Sequence, residues 1–299
     1  MRVAVTGSHG LIGTALLEAL TGDGHEVTSL VRGPAQGSHQ VRWDPAAGTI
    51  DAAGLEGHDA VVHLAGVGIG DHRWSAEHKA AVLDSRVQGT SLLATTLAHL
   101  DRPPAVLASA SAVGYYGDTG ARAVTEVDGP GSGFLADVVR QWEDATTPAA
   151  EAGIRVARFR SGVVLTDRGG ALDKQLLPFK MGLGGRVGTG EQYLSWISLD
   201  DEVSAIRHLL ATPSMAGPVN LTAPNPVTNA EFTKALGAVL GRPTVMPVPR
   251  LALNTMFGKE MVAEMLLAGQ RVLPAVLQAS GFAFVDEEIE PALRRILGK

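Results

Sequence analysis

Two groups of residues carry chemistry by their type and spacing. The first is Thr6-Gly7-Ser8-His9-Gly10-Leu11-Ile12-Gly13, a G-x-x-G-x-x-G run between an apolar segment at residues 3–6 and a helical pattern at residues 11–20. Glycines so spaced permit a tight turn, close approach of backbone to a pyrophosphate, and close helix–sheet packing. The helix N-terminus adds unpaired N–H groups and partial positive charge for phosphates. A β-branched residue at Gly10 would block that approach and strain a position suited to glycine. The bland alternative is an ordinary glycine-rich turn. The second group is Arg32, which follows the apolar run at residues 27–31. An acid there holds ribose hydroxyls in NAD-preferring sites. A guanidinium instead pairs bidentately with a 2′-phosphate, which a carboxylate repels. The missing acid and the present base both point to NADP(H), against a solvated loop arginine.

Other chemistries are excluded. The chain has no cysteine, so disulfides, zinc thiolates and thiol nucleophiles are ruled out, and a reducing cytoplasm is the expected compartment. No Gly-x-Ser-x-Gly elbow occurs, which leaves a hydrolase triad unsupported. His72 and His78 flank Trp74 at no recognised ligand spacing, so no metal is expected. A formal charge of -6 offers no positive excess for nucleic acid. No stretch approaches the ~18 uninterrupted apolar residues of a membrane helix, and no signal segment opens the chain. A hydrophobic content of 45% is too high for a disordered chain.

The elements that must position these residues follow from apolar runs and breakers. Strands are expected at residues 3–6, 26–31, 60–64, 105–109 and 154–165, with helices at 11–20, 76–100 and 141–151. Short buried strands alternating with helices predict a doubly wound parallel α/β sheet covered on both faces. Beyond it, residues 169–190 are glycine-dense and read as a long shaped loop. Within that loop, residues 182–190 together with Gln192 read as a mobile flap. A strand then runs into a helix at Asp200-Asp201, residues 217–221 return as a strand, and Thr228, Asn229 and Glu231 open a helix to Leu240. From residue 250 the pattern is mostly helical. The 299 residues divide into a dinucleotide-binding domain at 1–165 and a smaller, mostly helical part at 166–299, with some later strands returning to the sheet.

The glycine run, Asp59-Ala60-Val61-Val62-His63-Leu64-Ala65-Gly66 and Ser109-Ala110-Ser111 resemble the short-chain dehydrogenase/reductase superfamily in its extended, epimerase-like form. Further segments resemble an atypical branch described as NAD-dependent epimerase/dehydratase family proteins. These are Arg73-Trp74, Ser85-Arg86, Gly114-Tyr115-Tyr116-Gly117-Asp118, Gln141-Trp142-Glu143, Arg160-Ser161-Gly162, Gln192-Tyr193-Leu194-Ser195-Trp196 and Gly269-Gln270-Arg271-Val272-Leu273-Pro274. The resemblance covers nearly the whole chain. It implies a Rossmann core, a small C-terminal domain over the nicotinamide end, and NADP(H). It also places Gly7, Ser8, His9, Gly10, Leu11, Ile12, Gly13, Arg32, Leu64, Ala65, Gly66, Arg86 and Ser109 at the cofactor. Arg86 has an equal alternative as a surface or ion-pair residue on the long helix, and Trp142-Glu143 reads as a packed helix face.

The departure from superfamily chemistry is large. The usual set is a Ser with a Tyr-x-x-x-Lys pair, in which Tyr transfers a proton and Lys lowers its pKa. Four residues after Tyr115, Tyr116 and Tyr193 stand Thr119, Gly120 and Ile197, and no lysine lies between Lys79 and Lys174. Ser111 matches the superfamily Ser, and Tyr115 or Tyr116 could reach a substrate. Their bland roles are backbone hydrogen bonding for Ser109 and Ser111 and aromatic packing for the tyrosines. The expected function is an NADP(H)-binding oxidoreductase or epimerase acting on a small polar molecule, slow on simple carbonyls. Its rival is a redox sensor that holds NADP(H) without turnover. A nucleotide-sugar epimerase would need the missing lysine.

Overall fold

The computed structural model describes residues 1–299. In its first half the chain runs through β1 (Arg2–Thr6), α1 (Leu11–Gly22), β2 (Glu26–Val31), β3 (Gln40–Asp44), β4 (Thr49–Ile50), β5 (Ala60–His63), α2 (Ala76–Ala98), β6 (Val106–Ala112), β7 (Ala123–Val124), α3 (Phe134–Asp144), α4 (Thr147–Glu151) and β8 (Arg155–Ser161). It continues through β9 (Val163–Leu165), α5 (Gly170–Lys180), β10 (Tyr193–Leu194), β11 (Trp196–Ser198), α6 (Leu199–Ala211), β12 (Gly217–Leu221), β13 (Val227–Thr228) and α7 (Asn229–Leu240). The last elements are α8 (Arg250–Phe257), α9 (Lys259–Met261), a π-helical turn at Val262–Leu267, β14 (Arg271–Val272), α10 (Ala275–Ala279) and α11 (Ile289–Ile296).

One sheet organises the molecule, in the order β12-β8-β6-β5-β1-β2-β3-β4. Every pair is parallel except the terminal β3–β4 hairpin. From β1 the chain winds outward through β2 and β3, then returns to start β5 on the other side. That reversal opens a crevice at the carboxyl ends of β1 and β5, where dinucleotides bind in doubly wound sheets. The central strands are apolar on both faces because both are covered: Ala60, Val61, Val62 and His63 are all buried. On one side Val3, Val5, Leu16, Leu20, Phe159, Ile206 and Leu209 pack α1 and α6 onto the sheet. On the other, Leu30, Trp43, Leu93, Leu97 and Ile154 pack α2 and α4. A separate core of Leu172, Phe179, Trp196, Phe232, Leu236 and Leu293 joins α5, α7 and α11.

Helix starts follow their capping residues. Ser198 accepts from the Asp201 N–H before a first turn of Asp200, Asp201 and Glu202, and Thr228 with Glu231 forms a reciprocal capping box. α3 begins on Gly133, which has no side chain to cap it. A carboxylate from the far end of the chain serves instead: Glu264, in the π-helical turn, accepts from the N–H groups of Phe134 (3.0 Å) and Leu135 (2.9 Å).

Four expectations are corrected. An extra strand, β3, and its partner β4 precede the run at residue 60. Its pattern Gln-Val-Arg-Trp-Asp alternates, with Val41 and Trp43 buried, which suits an outer strand covered on one face. The helix expected at 141–151 starts earlier, at Phe134, and breaks into α3 and α4 around Ala145. The strand expected at 154–165 is cut at Gly162, where a Cβ would stand 2.6 Å from the Ser195 carbonyl oxygen. β9 therefore leaves the main sheet and pairs with β11. The stretch at 169–190 is not all loop. Its glycines cluster at the ends, with Gly169 before α5, Gly170 as the first residue of α5 and Gly182 after it, all at positive φ.

Candidate functional site

The glycine turn is held by close backbone contacts. Gly7 has φ +66°, and a Cβ at Gly13 would lie 2.2 Å from the Gly7 carbonyl oxygen. These two glycines are demanded by the fold. Gly10 is different: its backbone is extended, and a Cβ would meet only Gly7 O, at 3.2 Å. Gly10 has none of the left-handed backbone of Gly7, so the strain expected there reduces to this one tight contact, and its open side faces the crevice. The N–H groups of Leu11, Ile12 and Gly13 open α1 without an acceptor inside the chain.

A cleft of about 1030 Å³ lies over this turn. Its walls are Gly7–Gly10, Leu30–Gly33, Trp43–Ala46 and Leu64–Gly68, with Asp71, Asp84, Ser85 and Gln88. That is at the top of the range for small-molecule pockets and suits an extended ligand. Gly7, Ser8, His9, Gly10, Arg32, Leu64, Ala65 and Gly66 therefore meet on one surface. Leu11, Ile12 and Gly13 stand in the helix turn behind it. Arg32 is exposed at the rim. Trp43 and Asp44, which sequence reasoning missed along with β3, form the wall beside it. Asp44 turns one oxygen, Oδ1, to its own turn, accepting from the Ala47 N–H at 3.2 Å.

The wall at Leu64-Ala65 is set by a buried relay. Thr6 Oγ1 accepts from the N–H groups of Leu64 (3.0 Å) and Ala65 (3.1 Å), so both its lone pairs are used. Its own proton goes to His63 Nδ1 at 2.7 Å, which leaves His63 neutral with its proton on Nε2, donated to Thr90 Oγ1 at 3.0 Å. Burial, aided by the nearby Arg86 charge, pulls the His63 pKa down to about 4.

A second network lies at the end of β6. The Ser111 hydroxyl donates to Glu143 Oε1 at 2.6 Å. Arg160 Nε and Nη2 grip the two oxygens of that carboxylate at 2.7 and 2.8 Å, with both side chains buried. Arg160 Nη1 also donates to the Tyr116 oxygen at 2.9 Å, and the Tyr116 hydroxyl donates to Asn220 Oδ1 at 2.8 Å. Asn220 sits on the outer strand β12 and passes its amide to the Leu273 carbonyl. Burial pushes the Tyr116 pKa up to about 12, against the pull of Arg160. The structure thus draws Tyr116 into the core. Tyr115 is half-buried with the Arg160 guanidinium 3.4 Å from its ring centre, and its hydroxyl meets no protein partner. Ser109, two residues before Ser111, is buried and makes only a long contact to the Ala110 carbonyl.

Glu143, Arg160 and Asn220 were not legible as a set. Glu143 reads as one more polar residue on an amphipathic helix, and nothing in the spacing ties it to β8 or β12. Arg86 does not line the cleft. It is buried behind Gly66 and is neither the surface residue nor the ion-pair residue of the alternative reading.

Comparison with known proteins agrees with this geometry. Residues 3–221 match the model of the NAD dependent epimerase/dehydratase family, and residues 248–296 match a domain of unknown function. The chain is 47% identical over 291 residues to the epimerase family protein MT2273 of Mycobacterium tuberculosis, spanning 97% of this chain and 96% of that one. It is 38% identical over 301 residues to human epimerase family protein SDR39U1, 99% of this chain and all of the other. A crystal structure of human SDR39U1 with NADPH superposes with a TM-score of 0.92 at 37% identity, over the full length of both. A nucleoside-diphosphate sugar epimerase from Corynebacterium glutamicum gives 0.83 at 37% identity, over all of this chain and 58% of that one. No helix here is long and apolar enough to cross a membrane. With a Rossmann crevice, a glycine cradle and relatives matched from end to end, this chain belongs to the NAD dependent epimerase/dehydratase family.

Proposed function

We propose that the chain binds NADP(H) along the cleft and is an atypical oxidoreductase or epimerase acting on a small polar molecule. The observation that carries this reading is the cradle itself: unpaired N–H groups at Leu11, Ile12 and Gly13 stand under a wall of bare glycine, with Arg32 at the rim. The residues fit the group. The first turn of α1 would hold the pyrophosphate, Arg32 the 2′-phosphate, and Trp43 with Pro45 the adenine side. NADPH bound to human SDR39U1 supports the choice of nucleotide. When bound, the nicotinamide donates or accepts a hydride.

The chain's own residues do the rest. Ser111 spends its proton on Glu143, so it meets a substrate hydroxyl as an acceptor and orients it. Tyr115 offers the one phenol of the pair that is free of protein partners. No lysine stands four residues on to activate it, so proton transfer is slow. The Corynebacterium relative is named a sugar epimerase, but that reaction would need the Tyr-x-x-x-Lys pair this chain lacks. A second reading, a sensor that holds NADP(H) without turnover, is favoured by the burial of Tyr116. The test is direct: dissociation constants for NADPH and NADH, followed by NADPH oxidation against a carbonyl library. Equal affinity for the two nucleotides would defeat the NADP(H) assignment.

A further inference from the structure

Residues 174–190 and 234–259 differ in composition from the rest of the chain. In a protein of net charge -6 they hold seven Lys and Arg and no Asp or Glu. All seven cations are exposed, and none belongs to an ion pair of the structure. The same two runs carry seven of the eleven large apolar side chains that stand exposed, among them Leu183, Val245, Met246 and Leu251. A surface built only for solubility mixes both signs of charge and scatters its apolar residues singly.

The fold brings the two runs together. The Val248 N–H donates to the Arg186 carbonyl at 2.9 Å, and Val187 bridges Val248 in parallel register. At Gly185 a Cβ would collide with the Met246 carbonyl oxygen, so the backbones touch there. Leu183 on one run therefore neighbours Val245 and Met246 on the other, with Lys180, Arg186, Arg242 and Arg250 close by in sequence. Val245 and Met246 are 87% and 79% exposed, on a segment held between Pro243 and Pro247. Side chains this exposed stand clear of the surface and line no groove.

This combination selects its occupant. A second copy meeting this face across a two-fold axis would set unpaired cations against unpaired cations. A side chain that stands clear needs a medium that closes around it, and unpaired cations need anions in front of them. Anionic headgroups over hydrocarbon supply both, the cations meeting the headgroups and the aliphatic tips entering beneath. We infer that this face docks the protein onto an anionic lipid bilayer, where it lies on the surface and does not cross it.

The experiment uses the full chain and vesicle flotation. The vesicles are phosphatidylcholine alone, or phosphatidylcholine and phosphatidylglycerol in equal parts. Wild type should bind the anionic vesicles at least about tenfold more tightly than the neutral ones. Raising salt from about 0.1 M to about 1 M shortens the screening length from about 10 Å to about 3 Å and should release most of it. Both readings need wild type alone. Two double variants then separate the forces: Lys180→Glu with Arg242→Glu, and Val245→Ser with Met246→Ser. All four side chains are exposed and lie outside the walls of the cleft, so circular dichroism and NADPH affinity should stay at wild-type values. Each pair should weaken vesicle binding by about tenfold or more. Absence of binding, or equal binding to both kinds of vesicle, would overturn the inference. Loss in the charge variant alone would reduce the face to charge attraction without insertion and overturn it as well. Vesicle binding absent while sedimentation shows a dimer that Val245→Ser with Met246→Ser dissolves would give the face to a second copy. Retention of polyglutamate with no retention on vesicles would give it to an acidic protein.

Discussion

The Ser111 hydroxyl and the Glu143 carboxylate are joined at 2.6 Å, across 32 residues of sequence, with Glu143 itself gripped by Arg160. The proton of Ser111 is thereby committed. Replacing Ser111 by Ala should lower any turnover without changing NADPH affinity, because it removes an orienting acceptor and leaves the phosphate cradle intact. Turnover is read by NADPH oxidation and affinity by fluorescence titration. Full turnover in the variant would place the active centre elsewhere.

Glu143→Gln tests the same network through stability. It leaves the Arg160 charge buried and uncompensated, which costs about 3–5 kcal/mol in comparable pairs. Urea unfolding should show a lower midpoint of that order. Glu143→Leu paired with Arg160→Met, which removes both charges together, should recover much of the loss.

Arg32→Asp should reverse or erase a preference for NADPH over NADH. One charge-assisted bidentate contact is worth about 1.5–3 kcal/mol, or about tenfold to a hundredfold in affinity. Because Arg32 is exposed, its melting temperature should stay near that of wild type.

The glycine turn makes a paired prediction. Gly10→Val should fold with a small loss of stability and lose NADPH, since its backbone is extended and its Cβ would press on one atom only, the Gly7 carbonyl oxygen at 3.2 Å. Gly13→Ala should lose stability even without ligand, because its Cβ collides with the Gly7 carbonyl. Equal stability of the two variants would contradict the packing described for this turn.

His63 predicts the acid limb of the stability curve. Its pKa is about 4 in the fold against 6.5 in the unfolded chain. Between those values the unfolded state binds the extra proton, so stability rises with pH across this window and is lost as pH falls from 6.5 toward 4. The full effect is of order 3 kcal/mol, from about 1.4 kcal/mol per pKa unit. His63→Gln should flatten that limb in pH-dependent urea titrations.

The parts legible in sequence are those written in contiguous residues. The glycine turn, the apolar runs of β1, β5 and β6, and the polar helix starts of α6 and α7 each declare themselves within a few positions. Glu143 and Arg160 do not, because their pairing depends on α3 packing over the ends of β6 and β8. Asn220 reaches Tyr116 only because β12 returns to the outer edge of the sheet. Gly162 reads as part of one long strand until the Ser195 carbonyl is seen lying where its Cβ would go.

The cap that Glu264 places on α3 has a consequence for how the molecule holds together. α3 carries Glu143, and its first two N–H groups are satisfied only by a carboxylate more than a hundred residues downstream. The helix that supplies the Ser111 partner is therefore completed by the smaller C-terminal region, which acts as the keystone of the site rather than an appendage to it. Melting one side would strip the other of these two bonds, so the chain should unfold in urea as one cooperative transition, with Glu264→Gln lowering its midpoint.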